Sequence, residues 1–136
     1  MEVREPTMEY GNRIELSLPS DSRYMRLARL MASGVATTCG LPLEEVEDFR
    51  IAVDELCATL MEIGEGEQVQ LAFVLDGDTL VVEGRTASAP AGHIDEDRLS
   101  LSRQILDVVT DGHHLSQLDG HTAFTARKHL RSRGVG

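Results

Sequence analysis

Two acids, Asp54 and Glu55, interrupt the otherwise apolar stretch IAVDELCATLMEIG (Ile51 to Gly64), and the hydroxyl of Thr59 follows Glu55 by four residues. Positions four apart share one face of a helix, so Glu55 and Thr59 point into the same space. Two oxygen-bearing side chains directed at one pocket are the raw material of proton transfer or of oxygen ligation. The plainer reading makes both acids solvated groups at the edge of an amphipathic helix, and Asp54 fits it better than Glu55. His113, His114 and His121 suggest a metal site by residue type. Adjacent residues of a strand face opposite ways, however, which is poor geometry for chelation, and surface histidines near a turn are the expected outcome. Cys39 and Cys57 sit in apolar helical surroundings with neither Cys-x-x-Cys nor Cys/His spacing, so they read as reduced core thiols.

These side chains need elements to hold them. RIELSL (Arg13 to Leu18) alternates apolar and polar residues as a half-buried strand does. PSDSR then supplies cap residues for a helix running to Thr38, whose apolar face is Tyr24, Leu27, Ala28, Met31 and Val35 and whose end is marked by Gly40. LPLEEVEDFR starts a second helix, with Pro42 near its first turn and Glu44, Glu45 and Glu47 where the helix dipole favours acids. Val46, Phe49, Val53, Leu56, Leu60 and Ile63 carry its apolar stripe through the Glu55 stretch until GEGE breaks it. QVQLAFVLDGDTLVVEGRT predicts a hairpin bending at Asp76-Gly77-Asp78. ASAPAGHIDED is a loop by composition, and LSLSRQILDVVTD predicts a third helix with Leu101, Ile105 and Val109 on its apolar face. GHHLSQLDGHTAFTARKHL predicts a second hairpin turning at Asp119-Gly120. The order β, α, α, β, β, α, β, β predicts an α+β domain over residues 13–130, flanked by an arm (1–12) and a tail (131–136). Its architecture is a two-layer sandwich, a mixed or antiparallel sheet packed on about three helices.

At 136 residues the chain makes one domain with a core of ordinary size. It has no run of about 18 apolar residues, so no membrane-spanning segment is expected. MEVREPTMEYGNRIEL lacks the apolar stretch of a secretion signal, so a cytoplasmic location is the expectation. The net charge of −10 argues against nucleic acid, whose phosphates it would repel, and is compatible with a basic protein partner.

With EDFRIAVDELCATL closing the second helix, this order of elements resembles the bacterial anti-sigma factor and serine-protein kinase family of the RsbW type. That family belongs to the GHKL group, with its histidine-kinase-like ATPase (Bergerat) fold. The likeness runs from about Arg13 to Leu130 and is densest over RLARLMASGVATTCGLPLEEVEDFRIAVDELCATL. In active members the second helix carries Glu, three residues, then Asn; the Glu orients or deprotonates the attacking hydroxyl and the Asn oxygen binds Mg²⁺. On this resemblance Glu55 is the Glu, and Thr59 stands where the Asn belongs. A second family motif, Asp-x-Gly at the end of the strand after the hairpin, holds adenine. Alternation from Leu80 and Val82 sets Gly84 at the Asp place and Thr86 at the Gly place, with Glu83 one residue off and facing the other side. The third motif, Gly-x-Gly at the start of the last helix, cradles phosphates, and Ser100-Leu101-Ser102 is its counterpart. The resemblance thus implies a degenerate nucleotide site of Glu55, Thr59, Gly84, Ser100 and Ser102, with Glu55 catalytic only if kinase activity survives. It implies no metal site of its own and Mg-ATP as the one cofactor to consider. Arg29 matches a position where family members place an Arg in partner contact, a solvated Arg being the alternative.

The function the resemblance implies is that of an anti-sigma factor. Such a protein is a homodimer that binds an alternative RNA polymerase sigma factor and releases it to a competing anti-anti-sigma protein. Active relatives also phosphorylate that competitor on Ser. A second expectation, of a different class, is a working ATP-dependent serine/threonine kinase with unusual ligands. A third is a detached sensor-kinase module, against which stands the lack of a helix carrying a phosphoacceptor His.

Overall fold

The computed structural model describes residues 12–63, 67–86, 95–118 and 121–130. The expected arm and tail, the Asp119-Gly120 turn and most of the loop before the third helix lie outside the described residues. In chain order the elements are β1 (Arg13–Pro19), α1 (Met25–Thr38), α2 (Leu43–Ile63), β2 (Gln68–Asp76), β3 (Thr79–Thr86), α3 (Glu96–Val109), β4 (Gly112–Leu118) and β5 (His121–His129). One turn of 3-10 helix, Ser22–Tyr24, leads into α1 and is capped by Asp21, whose carboxylate accepts from the Arg23 amide at 2.9 Å. The strands form one sheet in the order β1-β2-β3-β5-β4, and every neighbouring pair is antiparallel. The expected α+β sandwich is therefore what the chain adopts, with a wholly antiparallel sheet.

Alternation along the strands puts Leu18, Val69, Leu71, Phe73, Leu80, Val82, Phe124 and Ala126 on one face, where they pack with Phe49, Val53, Leu56 and Leu60 of α2. Burying each of the Val, Leu and Phe side chains among these contributes roughly 2 kcal/mol. Phe49 and Phe73 meet across the two layers with ring centroids 6.1 Å apart and planes tilted by 59°. The face expected for α1 holds at Ala28 and Val35, with Tyr24 and Met31 packed at its edge, but not at Leu27. Its buried residues are Ala28, Ala32, Val35 and Ala36, and their small side chains let α1 lie close on α2. Leu27 stays 46% exposed, and Leu30 62%, because the apolar side of α1 is wider than its contact with α2. Gly40, at φ +91°, ends α1 as expected: its amide donates to Thr37 and that of Leu41 to Ala36, the paired bonds of a Schellman turn.

The third helix starts three residues before the expected LSLSRQILDVVTD. Asp95 caps it by accepting from the Asp97 amide at 3.0 Å, and Glu96 and Asp97 fill the first turn, so acids that read as loop by composition are the helix start. Its buried residues are Leu99, Ser102, Leu106 and Val109, while Leu101, expected inside, is exposed.

Cys57 is buried and free, and burial, with the Asp54 charge adding to it, pushes its thiol up to about 12. At pH 8 that leaves about one thiolate in ten thousand. Alkylation by iodoacetamide is therefore expected at half-buried Cys39 and not at Cys57 until the chain is unfolded, as mass spectrometry of the labelled peptides will show. Among the described residues no helix is long and apolar enough to cross a membrane.

Candidate functional site

Glu55 projects from the middle of α2 toward α3 with its side chain 20% exposed. Two residues of α3 meet it there. The Ser102 hydroxyl donates to Glu55 Oε1 at 2.9 Å, and Arg98 Nη1 lies 3.7 Å from the same oxygen. Arg98 also donates through Nε to Glu62 Oε1 at 3.1 Å, so one guanidinium spans two acids of α2. Glu55 is thus not a solvated edge acid; in this structure it anchors a clasp between two helices. Ser102 was expected on other grounds, but Arg98 was missed. The one signal for Arg98 in the sequence is its place one turn before Ser102, outside a helix expected to begin at Leu99.

Thr59 shares the face of Glu55 but lies deeper, at 0% exposure, and its hydroxyl is buried with no hydrogen-bond partner among the described residues. A hydroxyl in that position destabilises the fold. Thr59→Val, which keeps the shape and removes the orphan oxygen, is expected to raise the unfolding free energy by about 1 kcal/mol in urea denaturation. A loss of stability instead would mean that the hydroxyl has a partner.

The strand residues fall where alternation placed them. A Cβ built on Gly84 would meet Leu60 Cδ1 at 2.8 Å and Leu71 Cδ2 at 3.1 Å, so Gly84 faces the helices and its open side is already filled. Thr86 is buried on that face. Glu83 is exposed on the other face, 3.6 Å from Arg13. The serines are placed differently from the expectation. Ser100-Leu101-Ser102 lies in the second turn of α3 rather than at its start, so its amides are spent inside the helix and cannot cradle a phosphate. The true N-terminus of α3 carries Asp95, Glu96 and Asp97, whose charges oppose an incoming phosphate. Beyond Ser102 a cavity of about 250 Å³ is bordered by Leu99, Arg103, Leu106, His113 and Phe124, and neither Glu55 nor Thr59 lines it.

These residues do not fit Mg-ATP. Magnesium on a nucleotide takes one or two protein oxygens beside phosphates and water, and the candidates here are one fully buried hydroxyl and a carboxylate that already accepts from Ser102 with Arg98 3.7 Å away. Among the described residues no three His, Cys, Asp or Glu come together as metal ligands. His113 faces α3, its Nε2 2.7 Å from Asp107 Oδ1, while His114 is exposed; the side chain of His121 lies outside the described residues.

Arg29 is not a free cation. Its Nε donates to Asp54 Oδ1 at 2.8 Å, tying α1 to α2. Asp54, expected as an ordinary surface acid, is half of that pair. The neighbouring Arg26 is exposed.

No family model matches the chain. Among curated proteins it is 27% identical over 130 residues to a serine-protein kinase RsbW of Bacillus cereus strain AH187, covering 95% of this chain and 71% of that protein. Over a shorter stretch of 68 residues it is 32% identical to the RsbW of Bacillus anthracis strain CDC 684, covering 49% of this chain and 42% of that one. Two solved structures share the fold. One holds the RsbU and RsbW domains of a Mycobacterium tuberculosis protein, with a TM-score of 0.64 and 16% identity over 87% of this chain, which spans 32% of that longer chain. The other is the SiaB-SiaC complex of Pseudomonas aeruginosa, with a TM-score of 0.57 and 14% identity over 85% of this chain and 88% of that one. By sequence along nearly its whole length the chain is similar to the RsbW serine-protein kinases, and by the path of its backbone it shares the fold of the RsbW-domain and SiaB-SiaC structures.

Proposed function

We propose that this chain is an anti-sigma factor that grips an alternative RNA polymerase sigma factor by protein–protein contact, without nucleotide, and yields it to an anti-anti-sigma protein. The observation that carries the nucleotide-free part is the clasp at Glu55. The Arg98 guanidinium puts a positive charge 3.7 Å from the carboxylate, and Ser102 satisfies that carboxylate at 2.9 Å. The pocket side of α2 is thereby joined to α3 by the chain's own residues. Kinship with RsbW kinases supports the choice of partners, and the reading includes a homodimer in the cytoplasm, where the polymerase works. For the partner contact we assign Arg29, held in place by Asp54, together with Arg26 one turn before it. Both are cations on a chain of net charge −10, and they suit an acidic strip on the partner.

The test is binding of the host's purified alternative sigma factors to the immobilised chain. One of them is expected to bind with an affinity unchanged by Mg-ATP, and Arg26→Glu is expected to weaken it about tenfold. No binding to any of them would overturn the assignment. The alternative is an active serine/threonine kinase that phosphorylates the anti-anti-sigma protein, with Glu55 as base. The unpartnered Thr59 hydroxyl is the observation in its favour. Saturable heat on titration with Mg-ATP, lost in Glu55→Ala, would establish that alternative.

A further inference from the structure

The sheet has two edges, β1 and β4, and the sequence guards them unequally. β1, RIELSLP, carries an arginine, a glutamate and a terminal proline, residues that discourage a further strand. β4, GHHLSQL, is as long and has no proline, lysine, arginine or acid. Among the described residues no strand pairs with its outer side. Every other residue of an antiparallel edge turns its N–H and C=O away from the sheet, so β4 offers a row of backbone groups to an incoming strand.

Specific features flank that row. On the helix side, the cavity of about 250 Å³ between α3 and β4 is walled by Leu99, Leu106, Leu115 and Phe124, and the exposed Arg103 borders it. On the open side of the sheet, the Arg127 guanidinium lies across Gly112, the first residue of β4. A Cβ built on Gly112 would meet Arg127 Nη2 at 2.0 Å, so the glycine is what lets that cation reach the edge. Among the described residues neither arginine has an ion-pair partner, whereas the neighbouring acids are engaged. Asp107 Oδ1 lies 2.7 Å from His113 Nε2, and Asp111 accepts from the His129 amide at 2.8 Å. On a chain of net charge −10, this edge keeps two uncompensated cations, one on each side of β4.

We propose that β4 is a docking edge for an acidic, extended segment of another protein, which adds to the sheet as a sixth strand. Backbone pairing supplies the affinity, and the alternation of the added strand supplies the selectivity. One set of its side chains points to the helix side, where an apolar residue enters the cavity and an acid meets Arg103. The other set points to the open side, where an acid meets Arg127. A basic segment is refused by the same two cations, and a proline within the segment removes a needed N–H. A second copy of this chain is a poor occupant, because its own β4 has no acid to offer the arginines. The site lies at the opposite edge of the sheet from β1 and uses neither Arg26 nor Arg29, so it stands or falls apart from the sigma-factor reading.

The test is fluorescence polarisation of a labelled peptide, Glu-Glu-Leu-Glu-Val-Thr-Val, titrated with the full chain. Saturable binding is expected. Arg103→Glu and Arg127→Glu are each expected to weaken it about tenfold, with unchanged melting temperatures as the control for folding. Gly112→Ala, which displaces the Arg127 guanidinium and leaves its charge intact, is expected to weaken it as well. The same peptide with lysine for glutamate, or with proline at its centre, is expected not to bind. Hydrogen exchange followed by NMR is expected to show added protection of β4 amides in the complex and none along β1. No saturation, equal binding of the lysine or proline peptide, or protection along β1 in place of β4 would overturn the proposal. Protection of β4 amides in the chain alone, released on dilution, would overturn it too and hand the edge to a second copy.

Discussion

Lys128→Ala is expected to lower the unfolding free energy by about 3 kcal/mol, seen as a fall in the urea midpoint at constant slope. Lys128 lies on the helix-facing side of β5, where alternation would otherwise place an apolar residue, and it is almost fully buried. Its ammonium sits 3.6 Å from Asp48 Oδ2 and 4.0 Å from Glu45 Oε1, both in the first turns of α2. Removing it leaves two carboxylates facing a space that no longer balances them, and Glu45, the less exposed of the two, suffers more. If charge balance is the cause, the triple change Lys128→Met, Glu45→Gln, Asp48→Asn should recover most of the loss. If the triple variant is no more stable than Lys128→Ala, packing of the lysine stem is the larger effect.

Phe49→Ala is expected to be costlier still, at about 4 kcal/mol, with the melting temperature lowered by roughly 15 °C. Phe49 is 1% exposed and tilted against Phe73 across the helix–sheet boundary, so truncation opens a cavity where the two layers meet. Leu27→Ala offers the contrast: Leu27 is already half in solvent, and its loss should change stability by less than about 1 kcal/mol. A melting temperature within a few degrees of wild type for Phe49→Ala would mean that the core is not centred on that contact.

The sequence conveyed the architecture because two periods dominate it. The alternation of QVQLAFVLD and TLVVEGRT, and the helical stripe from Val46 to Leu60, leave little freedom in which faces are buried. Alternation also placed Glu83 and Gly84 correctly on opposite sides of the sheet. Legibility failed where burial depends on small or polar residues. The contact face of α1 is made of three alanines beside Val35, and alanines carry little weight in a hydrophobic pattern. In α3 a serine is buried and a leucine exposed, so the pattern was phased one residue early. The late start hides Arg98, which belongs to α3 only when the helix begins at Glu96. The Arg29–Asp54 pair joins residues 25 apart on neighbouring helices, a contact that no local spacing encodes.

Erosion of a nucleotide site is usually judged by counting lost motif residues. At the positions the resemblance assigns to nucleotide, the geometry shows a guanidinium near the carboxylate, an apolar side chain against the strand glycine, and acids at the helix start. Each of these stabilises the chain in the form it already has. A protein so arranged needs no ligand to set the relation of α2 to α3, as the proposed nucleotide-free grip on a partner requires.

The measurement that bears most directly on this account is recovery of the tagged chain from its own host, with the bound proteins identified in parallel samples with and without added Mg-ATP. A sigma factor and its anti-anti-sigma competitor are predicted in both samples at equal yield. Recovery of neither, or of the sigma factor only when nucleotide is supplied, would contradict it.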